Sequence, residues 1–208
     1  MRHELVRQPR QGRAPPRPAQ DVLALRRVEV VRTYLVLDDP SELRPASGHD
    51  PTADLVRHSP CPVPLYRRLY HEVGERWYWH DRLEWSDAEL ADHLASESVS
   101  VWELLVRGES AGYFELQRHQ DGSVEIAYFG LREPYIGRGF GGLMLTRAVR
   151  ESWEQGAARV WLHTCTLDSP NALPAYRARG FRPYKTERLE VDLDGTRVVA
   201  ERIVKSEK

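Results

Sequence analysis

The stretch Ser123-Val124-Glu125-Ile126-Ala127-Tyr128-Phe129-Gly130-Leu131-Arg132-Glu133-Pro134-Tyr135-Ile136-Gly137-Arg138-Gly139-Phe140-Gly141-Gly142 decides how the chain is read. Its first nine residues have the composition of a strand. Its last six are glycine-rich and open a segment in which Leu143, Leu145, Ala148 and Trp153 recur at helical spacing as far as about Gln155, with Gly156 as the cap. A strand leading through clustered glycines into a helix N-terminus is a ready-made phosphate site. Backbone N–H groups point outward, the helix dipole is positive there, and missing side chains let an anion approach.

As a bare string, Gly137-x-Gly139-x-x-Gly142 also matches the dinucleotide fingerprint. That fingerprint belongs in the tight turn directly after a strand of a repeated parallel sheet. Here Arg132 to Ile136 intervene and only 66 residues follow Gly142. A nicotinamide-dependent oxidoreductase is therefore the weaker reading, with Asp168 as its stand-in for a ribose-binding acid.

Downstream, Arg159 to Thr166 reads as a buried strand and Pro170 to Arg179 as a short helix ended by Gly180. Phe181 to Val191 and Thr196 to Val204 form a closing hairpin around Asp194-Gly195. Upstream, Ser98 to Val106, Ala111 to Arg118 and Ser123 to Leu131 form an antiparallel meander turned at Gly108-Glu109 and Asp121-Gly122. Leu65, Leu69 and Val73 predict a helix from Val63 that ends near Gly74. Ser86 with Glu89 predicts a capped helix over roughly 87 to 95. Val28 to Leu37 reads as a first strand, and residues 38 to 61 as mostly connection. The expected fold class is mixed α/β: a mostly antiparallel central sheet flanked by helices, with one strand–helix–strand unit in its second half.

The chain has 208 residues, with 30 Lys and Arg against 31 Asp and Glu. Residues 1 to 27 carry seven Arg against Glu4 and Asp21, a net of +5, so residues 28 to 208 carry −6. An Arg- and Pro-rich start with no aromatic residue is expected to stay unstructured, leaving one domain over 28 to 208. An acidic body lacks the clustered basic face that nucleic acid requires. No apolar run approaches the roughly 20 residues of a membrane span. No signal peptide is evident before Asp21, and Cys61 and Cys165 belong to no metal or disulfide spacing, which together favour the cytoplasm.

Phe129 to Gly141, together with Tyr176-Arg-Ala-Arg-Gly180-Phe181, resembles the GNAT superfamily of acetyl-CoA-dependent N-acetyltransferases, from about Val63 onward. The first segment is similar to that family's strand end, connector and pyrophosphate loop, and the second to its Y-x-x-x-G-F signature. The resemblance implies that Gly137, Arg138, Gly139, Gly141 and Gly142 hold the pyrophosphate of acetyl-CoA. It also implies that backbone groups near Phe129, Gly130 and Leu131 pair with the pantetheine arm. Ile136 stands where the family has Arg or Gln, so a side-chain contact is lost while the backbone donors remain. Ser169 stands where the family often has Asn, with Asn171 nearby, so either is the candidate to steady the pantetheine.

Acetyl transfer from a thioester to an amine needs an unprotonated amine, a polarised carbonyl and a proton for the leaving thiolate. By its offset from Gly139, Glu125 matches the general-base glutamate of the family's histone-acetylating branch. Glu115, on the neighbouring strand, is the rival base or the holder of the acceptor's positive charge. Tyr176 matches the tyrosine that protonates the departing sulfur. His163 and Cys165 share one face of a strand, where residues two apart point in parallel and rarely meet, so packing is expected of them. His71 and His80 have no metal spacing, and no metal is expected.

Trp77, Tyr78, Trp79 and Trp85 either line an acceptor pocket, with Trp77 and Trp79 facing a cation, or form the helix–sheet core. The expected activity is acetyl transfer from acetyl-CoA to a primary amine of a small molecule or a peptide, by direct attack. A non-catalytic acyl-CoA-binding module is the alternative, and a homodimer is left open.

Overall fold

In the computed structural model, residues 27–48, 50–193 and 198–202 are described. The segment before Arg27 and the turn at Asp194-Gly195 lie outside them, so neither the expectation of an unstructured start nor that turn is addressed.

An eight-stranded sheet forms the middle layer, in the order β2-β3-β4-β5-β6-β1-β7-β8. The strands are β1 (Arg27–Leu37), β2 (Ala53–His58), β3 (Val99–Val106), β4 (Glu109–Arg118), β5 (Ser123–Leu131), β6 (Arg159–Cys165), β7 (Arg182–Asp192) and β8 (Val198–Arg202). The helices are α1 (Val63–Gly74), α2 (Asp87–Ala95), α3 (Phe140–Glu154) and α4 (Ala172–Ala178). Among the described strands only β5 and β6 pair in parallel, as the two ends of the β5-α3-β6 unit.

Alternation along each strand feeds two cores. Phe114 and Leu116 of β4, Val124 and Ile126 of β5 and Leu162 of β6 face α3, which buries Phe140, Met144, Leu145, Ala148 and Val149 against them. On the opposite face Val99, Val101 and Tyr113 meet Tyr66, Leu69, Tyr70 and Val73 of α1 and Leu90 and Leu94 of α2. The buried α1 positions recur at three, four and seven, a one-sided stripe that docks a helix on a sheet. Before α2, Ser86 Oγ accepts the Glu89 N–H at 3.3 Å and Glu89 Oε2 accepts the Ser86 N–H at 2.7 Å, the reciprocal cap expected there.

Residues 38 to 61 are mostly connection, but Ala53–His58 within them forms β2, an edge strand paired antiparallel with β3 from Ala53–Val106 to His58–Val101. Edge strands bury one face at most and carry a weak apolar pattern. The β3–β4 turn is centred on Arg107 and Gly108 rather than Gly108-Glu109. Both central residues have positive φ, +53° and +79°, as the right-handed twist of a hairpin favours.

Two irregularities open the sheet. Leu116 pairs with Ile126 and Glu115 with Tyr128, so Ala127 is an extra residue on β5, a bulge that bends the strand. β5 then pairs with β6 only from Ser123–Arg159 to Glu125–Trp161, although β5 continues to Leu131 and β6 to Cys165. Past Glu125 the two strands part and leave a wedge in the centre of the sheet.

Candidate active site

A cleft of about 370 Å³ occupies that wedge. One wall is β5, from Glu125 through Phe129, Gly130 and Leu131. The other is the end of β6 and the connection to α4, with His163, Cys165, Asp168, Ser169 and Asn171, and then Tyr176 on α4. Trp77, Tyr78, Trp79, Asp81 and Arg82 close it from the α1–α2 connection, while Val30 and Arg32 of β1 and Leu189 and Val191 of β7 also line it. Ile136 and Gly141 place the start of α3 at one end.

The glycine loop is built for an anion. Gly139 is the N-cap of α3 with φ +88°, and Gly137 has φ +78°, left-handed conformations that let the chain turn tightly into the helix. Open space surrounds both positions. The first turn of α3 has no side-chain cap and no acidic residue, so its N–H groups and dipole are uncompensated. Arg138 stacks over the Tyr135 and Phe140 rings at 5.5 and 5.4 Å. Gly142 packs against Ala46 and Arg179, behind the loop. The β5 backbone beyond Glu125 keeps its β4 partners on one side and faces the wedge on the other, an edge to which an extended chain can add. These features fit a coenzyme A thioester: loop and helix end for its phosphates, and strand edge for its pantetheine arm.

Tyr176 is buried among Phe129 and Phe181, each ring 6.2 Å away, and its hydroxyl belongs to a residue lining the cleft. Burial, with the Asp168 charge adding to it, holds the phenol well above its ordinary value, so it stays protonated. Asp168 accepts the Thr164 hydroxyl and the Cys165 N–H, both at 2.8 Å, and so pins the β6–α4 connection. Ser169 Oγ accepts the Asn171 N–H at 3.4 Å.

Glu125 projects into the cleft with each carboxylate oxygen beside a histidine. Oε2 is 3.1 Å from His119 Nε2 and Oε1 is 3.5 Å from His163 Nδ1. His163 therefore does not simply pack. It faces the cleft opposite Glu125, while Cys165, two residues on, also lines the cleft, its thiol raised by burial and Asp168. Alternation along β6 alone does not show that β5 brings a carboxylate alongside. His119 carries no pattern of its own in its hairpin turn, yet the tight return at Asp121-Gly122 folds it back six residues onto Glu125.

Glu115 stands elsewhere. It is fully buried, does not line the cleft, and accepts from the Tyr66 hydroxyl, His93 Nε2 at 2.9 Å and Arg82 Nη2 at 3.4 Å. Burial pushes its carboxyl upward, but the donors His93, Arg82 and Tyr66 together outweigh this and hold it below the usual carboxylate range. A carboxylate so enclosed anchors α1, α2 and the α1–α2 connection to β4. Trp79 is wedged against Tyr70, Tyr113 and Tyr128 and also lines the cleft; Trp77 lies on the cleft wall. Trp85 lies under Arg82, 4.0 Å from its guanidinium, and beside His93. Among the described residues no cluster of His, Cys, Asp or Glu is arranged to hold a metal ion.

Residues 66–181 match the model of the acetyltransferase (GNAT) family. Mycothiol acetyltransferases from Corynebacterium efficiens and Corynebacterium aurimucosum are each 28% identical to the chain, over 180 and 188 residues. Each match covers 79% of this chain and 58% and 62% of the relative. The chain thus spans about three-fifths of the length of these relatives. In structure it is similar to a GCN5-related N-acetyltransferase from Kribbella flavida, at 17% identity and TM-score 0.58, over 79% of this chain and 58% of that one. It is also similar to an aminoglycoside acetyltransferase from an uncultured soil metagenomic sample, solved with trehalose, at 16% identity and TM-score 0.53, over 62% and 88%. With more than half its length matched by the family model, the chain belongs to the GNAT family of acetyltransferases.

Proposed function

We propose that the protein transfers an acetyl group from acetyl-CoA to a primary amine by direct attack, in a basic centre built around Glu125 and with Tyr176 as the acid. The observation that carries this reading is that Glu125 and Tyr176 line one cleft, from opposite sides of the β5–β6 wedge, with the uncapped end of α3 at its margin. Acetyl-CoA supplies the activated thioester. Gly137 to Gly142 orient its phosphates, and the free β5 edge near Phe129 to Leu131 draws the arm into the wedge, with Ser169 or Asn171 opposite. Glu125 provides the negative charge toward which an acceptor ammonium loses its proton. Tyr176, which burial keeps protonated, gives its proton to the sulfur as the C–S bond breaks and is reprotonated from the amine.

The acceptor side, with Trp77, Tyr78 and Trp79 above and Asp81 and Glu125 at hand, suits an amine carried on a ring or an apolar body. The names of its relatives suggest amino-sugar compounds as the first acceptors to try, ahead of peptide amines.

A thermal-shift titration with acetyl-CoA, CoA, NAD and NADP tests the donor. A ligand at a hundred times its Kd adds about 2.7 kcal/mol to stability. Stabilisation by acetyl-CoA and CoA alone supports the reading, and stabilisation by NAD or NADP alone sinks it. Thiol release with a panel of amines then separates an enzyme from a module that binds acyl-CoA without turnover.

A further inference from the structure

We propose that the group taking the acceptor's proton is His163, through Nε2, and that Glu125 acts behind it as the carboxylate that orients and charges the imidazole. The inference rests on the acetyltransferase reading and refines which atom does the work. An ionised carboxylate only accepts hydrogen bonds, so an imidazole nitrogen beside it carries the proton. His163 Nδ1 lies 3.5 Å from Glu125 Oε1, in ion-pair range but short of a formed hydrogen bond. Drawn to hydrogen-bond distance, a neutral ring keeps its hydrogen on Nδ1 and leaves the Nε2 lone pair free, on a side chain that lines the cleft. The arrangement follows the logic of a carboxylate–histidine pair in nucleophilic enzymes, in which the carboxylate sets the tautomer and stabilises the imidazolium. Such contacts are commonly long before substrate binds and tighten in the complex.

The surroundings hold the pair in place. Tyr34 of β1 lies opposite His163 in register, with its ring 5.6 Å away, and donates its own hydroxyl to Glu187 at 2.7 Å. His119 Nε2, 3.1 Å from Glu125 Oε2, engages the other carboxylate oxygen, and its ring rests 5.5 Å from that of Trp161. Besides Glu125 and His119, the titratable and charged groups facing this centre are Cys165 on β6, Tyr34 and Arg32 on β1, and Tyr184, Lys185 and Glu187 on β7. Lys185 pairs with Glu187 at 2.5 Å, and the Tyr184 phenol is raised by burial and by the Glu125 charge.

The step balances. One ammonium N–H bond breaks and an H–Nε2 bond forms, leaving an imidazolium beside Glu125. The freed amine pair forms the N–C bond at the thioester carbonyl. The C–S bond breaks, the sulfur takes the Tyr176 proton, and the second amine proton restores Tyr176. The imidazolium then loses its proton to water.

Nitrogen-15 NMR of histidine-labelled protein tests the tautomer without any acceptor. The expected result is a His163 ring protonated at Nδ1 in the wild type, losing that preference in Glu125→Gln, with both proteins equally stabilised by CoA. A wild-type ring protonated at Nε2, or one indifferent to Glu125→Gln, overturns the proposal. With acetyl-CoA and glucosamine as the probe acceptor, His163→Ala should lower kcat by about 100-fold or more at unchanged KM for acetyl-CoA. Imidazole added to the buffer should restore part of that rate, and should not restore Glu125→Gln. His163→Asn, checked by melting, guards against simple misfolding. Near-normal turnover in either His163 variant, with Glu125→Gln inactive, makes Glu125 itself the base and overturns the proposal. Failure of CoA to stabilise the wild type instead strikes the acetyltransferase reading, an outcome on which the tautomer measurement does not depend.

Discussion

Glu115 and Glu125 sit on adjacent antiparallel strands and face the same side of the sheet, yet only one of them meets the cleft. Glu115 lies where α1 and α2 cover β4, with Tyr66, His93 and Arg82 around it and no exposed surface. Glu125 lies where β5 leaves β6, with a side chain 13% exposed and two imidazoles for neighbours. The same functional group becomes an anchor in one place and a candidate for chemistry in the other. What separates them is the helix cover over the first and the broken ladder beside the second. A carboxylate that serves the chemistry must stay within reach of the reacting groups, whereas an anchor needs every lone pair taken.

The same substitution at both positions should break this comparison most directly. Glu115→Gln removes the buried negative partner of the half-buried Arg82 and His93 and should destabilise the fold by about 3–5 kcal/mol in urea unfolding. Glu125→Gln should change stability by less than about 1 kcal/mol and lower turnover roughly 10²–10⁴-fold. A stable Glu115→Gln protein that has lost turnover would reverse the two roles. Tyr176→Phe should follow, with kcat down by about 100-fold and the fold intact. Because burial raises the Tyr176 phenol, the wild-type rate should show no alkaline loss from this group near pH 10, where a free phenol titrates.

Acid sharpens the contrast further. Glu115 has a folded value below its unfolded one, so its contribution to stability is complete above the unfolded range near 4.3 and is lost as pH falls through the lower folded value. Melting temperature against pH should therefore fall more steeply below about pH 4.3 in the wild type than in Glu115→Gln. Equal slopes would mean that the Glu115 pair does not hold its charge in the fold.

The glycine-loop side of the molecule was legible because its pattern is local. Gly137 to Gly142 and α3 are contiguous, and the strand, loop and helix follow one another in the chain. The side built by α1, α2 and β4 depends on contacts that no local pattern records. Glu115 reads as an alternating strand residue, and only the docking of α1 and α2 brings Tyr66, His93 and Arg82 to it. Alternation places His163 correctly on one face of β6, but only β5, which runs parallel beside β6 and then departs, brings Glu125 to it. β1 illustrates the same limit. Its β-branched run announced a strand, but nothing in residues 27 to 37 tells that they insert between β6 and β7 and line the cleft with Val30 and Arg32.

The smallest expected effect is also a test of how far each carboxylate's influence reaches. Ser86→Ala removes the cap of α2, worth about 1 kcal/mol, at the end of the helix away from His93. α2 is thereby held at two points, its N-terminal cap and the His93–Glu115 contact near its last turn. With Glu115 replaced by Gln, a loosened cap should matter less, because the far end of the helix is already released. The double variant should then fall short of the sum of the single effects by more than the roughly 0.3–0.5 kcal/mol that independent sites show. Ser86→Ala combined with Glu125→Gln should instead add within that margin, since the ion-pair partners of Glu125 are His119 and His163, neither of them on α2. Coupling of Ser86 to Glu125 as strong as to Glu115 would mean that the helix cover and the open wedge form one cooperative unit, and the division between anchor and reacting centre would have to be drawn elsewhere.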